Sequence, residues 1–172
     1  SLYYRIPSIT VTTDGKRLVT LTDDRKNHNS DLPSHCYLVA QYSEDNGKTW
    51  SEPKDIAEDV YAMFDKCSRG PVRAMFIGSG KIHQSRYTKT GKYYRLYCSN
   101  LVTDVNGARL NYVLYSDDFG DTWKVLGDKE DVPIINGDEP KVEELPDGRI
   151  IISSRCGGGR LFNIFDFENK EQ

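Results

Sequence analysis

At 172 residues, with 37% hydrophobic and 28% charged side chains, the chain has the size and balance of one globular domain. Its 23 Lys and Arg against 26 Asp and Glu leave a formal charge of −3 with no basic block, which argues against nucleic acid or an anionic membrane as partner. No apolar run approaches the ~20 residues of a membrane-spanning helix, and the opening Ser1-Leu2-Tyr3-Tyr4-Arg5 does not read as a signal peptide.

In chain order the pattern is that of strands. Ile9-Thr10-Val11-Thr12 alternates and stops at Asp14-Gly15, and Arg17 to Thr22 follows as the returning arm of a hairpin. Cys36 to Tyr42 is rich in aromatic and β-branched residues. Pro53 to Phe64 is the one short helical candidate. Tyr93 to Cys98 and Leu110 to Tyr115 return to strand composition, and Val142 to Leu145 pairs with Arg149 to Ser153 about the turn Pro146-Asp147-Gly148. The expected fold class is all-β.

Cys36, Cys67, Cys98 and Cys156 are scattered without a C-x-x-C pair, as small buried hydrophobes would be, although the spacing leaves disulfides open. His28, His35 and His83 show neither helical zinc spacing nor clustering with cysteine. No metal and no cofactor is expected. Asp104-Val105-Asn106-Gly107 lacks the further ligands of a calcium loop, and Gly157-Gly158-Gly159-Arg160 lacks the Lys-Ser/Thr of a phosphate loop.

The strongest organising feature is a repeat. Ser43-Glu44-Asp45-Asn46-Gly47-Lys48-Thr49-Trp50 returns as Ser116-Asp117-Asp118-Phe119-Gly120-Asp121-Thr122-Trp123, both reading S-x-D-x-G-x-T-W, and the two hold the chain's only tryptophans. Such a turn satisfies itself: carboxylate and hydroxyls bond backbone N–H groups, Gly takes a positive φ, and Trp packs beneath. Radial repetition of all-β units points to a β-propeller. The copies lie 73 residues apart, further than the ~40–50 residues of one blade. Either some blades lack the turn or the intervening segment holds extra structure.

Two more segments join the turns. Tyr4-Arg5-Ile6-Pro7 precedes the first strand, and Glu139-Pro140-Lys141-Val142-Glu143-Glu144-Leu145-Pro146-Asp147-Gly148-Arg149 runs into Ser153-Ser154-Arg155. The first is similar to the F/Y-R-I-P motif, the second to the E-P-x-V-x-E-L-x-D-G stretch, and the turns to the Asp boxes of the bacterial-type exo-α-sialidases. With all four in order, the resemblance covers nearly the whole of residues 1–172. It implies a six-bladed β-propeller, with this chain supplying N-terminal and middle blades, and removal of terminal α-linked sialic acids with retention. At ~40–50 residues per blade the chain is expected to fall short by about one blade inside and two beyond its end. A piece of a longer sialidase, a reduced relative that binds only, and two chains closing one ring all fit that shortfall. The exposed strand edge of an open fragment favours the first.

The substrate explains the residue types that the resemblance brings. Sialic acid carries a carboxylate on its anomeric carbon, which guanidiniums grip in pairs while staying charged. The resemblance assigns Arg5 and Arg155 to that clamp, with a third arginine unmatched here. A carboxylate nucleophile would be repelled, so the family uses Tyr, activated by a glutamate that matches Glu139. No tyrosine here matches the nucleophile's motif. Asp23-Asp24-Arg25, followed by Asp31, is similar to the family's D-x-R and catalytic aspartate, making Asp31 the acid/base and Arg25 a sugar contact. Gln84 is a weaker candidate contact that equally suits backbone pairing, and Asp23 and Asp24 are expected to be loop caps. Glu143 and Glu144 are expected to be solvated. A non-catalytic, carbohydrate-binding or scaffold propeller is the alternative, and an ordinary two-carboxylate glycosidase using Asp31 and Glu139 is a third reading. Sialylated glycans as partners imply a secreted, cell-surface or periplasmic setting.

Overall fold

The computed structural model describes residues 3–12, 15–26, 36–78 and 80–166. The first sheet is built from β1 (Tyr4–Val11), β2 (Leu18–Asp24), β3 (Tyr37–Ser43) and the short β4 (Lys54–Asp55), each antiparallel to the one before. A six-residue helix, α1 (Ala57–Ala62), follows within the expected helical segment, its first free N–H bonded to Asp55 Oδ1 at 2.9 Å.

The second sheet has both margins interrupted. Its inner margin is split into β5 (Val72–Ile77) and β7 (His83–Thr90), which pair with opposite halves of the twelve-residue β8 (Tyr93–Asp104). Between those halves the chain leaves as β6 (Gly80–Lys81) and runs parallel to β1 of the first sheet. Next to β8 lies β9 (Arg109–Ser116), and the outer margin is again split, into β10 (Lys124–Val125) and β11 (Ile134–Ile135), both on β9. A third sheet holds β12 (Asp138–Glu144), β13 (Ile150–Cys156) and β14 (Gly159–Phe165).

Alternation assigns the two faces of the middle sheet to two cores. Leu96, Cys98 and Val102 of β8 and Leu110, Tyr112 and Leu114 of β9 pack with Val19, Leu21 and Leu38 of the first sheet and with Val60 and Phe64 around α1. Tyr97 and Val113 face the other way, onto Val142, Ile150 and Ile152 of the third. Because both faces are buried, these strands read as near-continuous apolar runs. Three sheets stacked face to face are the arrangement of successive propeller blades, and the expected all-β class is what the chain adopts.

The turns sit at equivalent places, between β3 and β4 and between β9 and β10, so they belong to neighbouring sheets. The expected shortfall of a blade between them is therefore corrected: α1 and the broken inner margin fill the 73-residue spacing. Each turn is bonded as its sequence requires. Asp45 Oδ1 accepts from Thr49 N and Oδ2 from Thr49 Oγ1, at 2.8 and 2.6 Å, and Asp118 accepts the same pair from Thr122 at 2.8 and 2.5 Å. They differ in packing: Trp123 is 7% exposed and donates Nε1–H to Gly120 O, whereas Trp50 is 39% exposed. All four cysteines are free thiols, Cys36 and Cys98 buried.

Candidate functional site

Two strand pairs in different sheets carry the same irregularity. The β1–β2 register slips between Arg5 and Ser8, and the β12–β13 register slips between Asp138 and Lys141. Inside each slip a residue with positive φ precedes proline: Ile6 at 53° before Pro7, and Glu139 at 46° before Pro140. A branched aliphatic and a glutamate rarely adopt this conformation, and such strain is held in place only where the surroundings over-determine it. Bulges of this kind re-aim side chains out of the ladder.

A hydrogen-bonded line ties the two irregularities together. Ser8 Oγ donates to Gly78 O, Gly78 N to Ser99 O at 2.7 Å, and Ser99 Oγ to Pro140 O at 2.7 Å. It runs from the first sheet through the middle one to the third, and its ends lie three residues from Arg5 and one from Glu139. A Cβ at Gly78 would stand 2.1 Å from Ser99 Oγ and 2.4 Å from Pro140 O, so only glycine fits. Next to Asp138, Asn111 Nδ2 donates to Gly137 O at 3.2 Å and Ser154 Oγ bonds Asn111 Oδ1 at 2.5 Å, closing the middle sheet onto the third.

At the third-sheet end, Arg155 Nε is 3.3 Å from Glu139 Oε2 and Arg155 Nη2 is 2.9 Å from Asp138 Oδ2. Arg109, at the start of β9, places Nη1 on that same Asp138 oxygen at 2.7 Å. Arg155 and Glu139 are 56% and 60% exposed, so their charged ends meet solvent. At the first-sheet end, half-buried Arg5 pairs across to Asp23, and Arg25 is buried with Nη2 3.3 Å from Asp23 Oδ2. Burial pushes the Asp23 carboxyl up to about 7, opposed by the hydrogen bond and charge of Arg25 and by the charge of Arg5.

The structure thus brings Arg155 beside Glu139, Arg25 onto Asp23, and Arg5 opposite Asp23 across the ladder. Asp31 lies outside the described residues. Gln84 is half-buried in β7 opposite Leu96, and its neighbour Ser85 bonds Glu144 at 2.6 Å. Leu96 stands three residues along β8 from Ser99, which bonds Pro140.

Two expectations are corrected. Asp23 and Asp24 are buried strand residues, not loop caps. Glu144 is buried, accepting from Ser85 Oγ, and from Arg86 N at 2.7 Å, and it clamps β12 to β7. Its direction follows from alternation, since Glu144 shares a face with Val142. Asp104 caps its own turn, accepting from Asn106 N and Ala108 N at 2.8 and 2.9 Å. Sequence reasoning missed Asp138 and Arg109. Arg109 carried no signal, and Asp138 only its place beside Glu139. Among the described residues no group of His, Cys, Asp and Glu is placed to hold a metal ion, and no helix is long and apolar enough to cross a membrane.

No protein-family model matches the chain. It is 31% identical over 159 residues to a sialidase of Paraclostridium sordellii, a match covering 88% of this chain and 37% of that protein. Its fold matches the Hadza microbial sialidase Hz136 with a TM-score of 0.75 at 19% identity, over 94% of this chain and 31% of that one. It also matches Trypanosoma rangeli sialidase in complex with sialic acid, with a TM-score of 0.70 at 21% identity over 94% and 26%. The chain spans about a third of the length of these proteins.

Proposed function

The chain is a homologue of the sialidases, and from that premise we propose that its protein is an exo-α-sialidase, hydrolysing terminal α-linked sialic acid from glycoconjugates with retention. The observation that carries this reading is the contact of Glu139 with Arg155 at the strained bulge. A guanidinium for the substrate carboxylate and a carboxylate to take the nucleophile's proton stand side by side there, at the solvent-facing end of the strands.

The chemistry follows from charge. The substrate carboxylate docks on Arg155 and Arg5, whose guanidiniums offer paired donors at any working pH. A phenol has an ordinary pKa of ~10 and needs a base at neutral pH. Glu139 supplies it, with the tyrosine coming from elsewhere in the protein. Asp31 then protonates the leaving oxygen and later activates water, and Arg25 contacts the ring. Sialylated glycans face the outside of cells, so the working place is secreted, cell-surface or periplasmic.

The test is release of a fluorophore from an α-sialoside by the intact protein. Glu139→Gln, nearly isosteric and more than half exposed, is expected to lower kcat by ~10²-fold or more with the fold intact. Turnover unchanged in that variant overturns the assignment. Binding of sialosides without turnover by the parent protein selects the non-catalytic propeller instead.

A further inference from the structure

In each of the two sheets carrying clamp arginines, an arginine and an aspartate face each other at the bulge. Arg5 stands opposite Asp23, and Asp138 opposite Arg155, with the arginine on the first strand in one sheet and on the second strand in the other. Both pairs immediately precede the positive-φ residue and its proline. The surrounding sequences differ, and what recurs is the charge pair at one place in the blade.

We propose that Asp23 and Asp138 are positioning residues, each fixing from the neighbouring strand the guanidinium that meets the substrate carboxylate, Asp23 for Arg5 and Asp138 for Arg155. The proposal rests on the sialidase reading above.

Asp138 is the better-defined case. Its Oδ1 accepts the N–H of Glu139 at 2.9 Å, and its Oδ2 accepts Arg109 Nη1 as well as Arg155 Nη2. The carboxylate is pinned by backbone and by a second guanidinium, independently of Arg155. Arg155 is the mobile partner, a long side chain more than half exposed, and a fixed acceptor removes the freedom it would otherwise lose on binding. With Nε and one Nη2 donor directed at Glu139 and Asp138, the rest of its five N–H donors are left to take a planar carboxylate.

Asp23 does the same from inside the sheet. It is fully buried, its Oδ2 lies on Arg25, and Arg5 stands opposite it across the ladder. A buried carboxylate is costly and contributes little to stability by itself. Its place beside Arg25 and opposite Arg5 is explained by what it does to the clamp arginine.

The experiment uses the intact protein with Asp138→Asn and the conservative Asp138→Glu, and Asp23→Asn beside them. Asp138→Asn is expected to raise KM by ~tenfold or more, with kcat within ~threefold, an unchanged melting temperature and partial recovery in Asp138→Glu. Its affinity for sialic acid should fall while that for the uncharged methyl ester holds. Equal losses for acid and ester, or an unchanged KM, overturn the proposal. If the parent protein neither cleaves nor binds sialosides, the sialidase reading has failed on its own. The positioning role is then read from the Arg155 Nε–H resonance, whose shift and exchange must change in Asp138→Asn, and an unchanged resonance refutes it. Asp138 is 23% exposed, so it carries the test even where Asp23→Asn does not fold.

Discussion

Replacing Gly78 with alanine tests whether the three sheets are held in register through one crossing point. The added methyl would meet Ser99 Oγ at 2.1 Å and the Pro140 carbonyl oxygen at 2.4 Å. Gly78 has no positive φ, so its backbone suits alanine and the whole cost is steric. Ser99 can rotate away, but then its buried bond to Pro140 is lost, at about 1–3 kcal/mol. Pro140 O is backbone and can reach an ordinary contact only if the third sheet moves by ~1 Å. Overpacking of this sort costs about 1–3 kcal/mol more, roughly 2–6 in all, or about 10 °C in Tm for a domain of this size. Because Pro140 follows Glu139, the same movement carries Glu139 and Arg155 away from Arg5 in the first sheet, where ~1 Å costs up to ~10²-fold in rate. Thermal unfolding and sialoside turnover of Gly78→Ala measure the two effects. Adding Ser99→Ala should return only part of the stability, since the Pro140 contact remains. A Tm within ~1 °C of the parent would refute the reasoning.

The remaining predictions concern one carboxyl and two indoles. The Asp23 carboxyl is raised to about 7 in the folded chain against an ordinary 3.8, so the folded state keeps a proton that the unfolded state has lost. Its contribution is full below about pH 4, declines up to about pH 7 by roughly 4 kcal/mol, and is level above that. Asp23→Asn should flatten this slope in denaturant melts across pH 4–8, and parallel pH curves would refute it. Trp123→Ala should destabilise by about 3–5 kcal/mol and Trp50→Ala by less than half as much, because only Trp123 is packed in the core. Equal shifts of the urea midpoints would show the two turns to be equivalent in packing as well as in sequence.

Much of the fold is legible where neighbours in sequence are also neighbours in space. The S-x-D-x-G-x-T-W turns close within four residues of their aspartates, so composition specifies them completely. The apolar run Leu110 to Tyr115 announces a strand buried on both faces, and α1 falls inside its expected segment. Gly157-Gly158-Gly159, which leads into β14, is the tight turn of a hairpin in which Cys156 pairs with Gly159. The burial of Asp23 and Glu144 is visible only afterwards, as a charged residue standing where alternation points inward, beside Leu21 and Val142.

The candidate site divides the same way. Arg5, Arg25, Glu139 and Arg155 stand in motifs that local sequence displays, because each motif is a short bulge or strand end with its own backbone demands. Which of them meet was decided by the tertiary structure. Ser8 reaches Gly78 across 70 residues and Ser99 reaches Pro140 across 41, and no local preference encodes contacts of that separation. Asp138 acquires its role only because β13 returns Arg155 opposite it and β9 begins with Arg109 alongside. The sequence by itself determined turns, strands and the chemistry on offer, since those depend on backbone torsion and side-chain type. The stacking of sheets decided which charges share a carboxylate, since that depends on strands far apart in the chain being packed side by side.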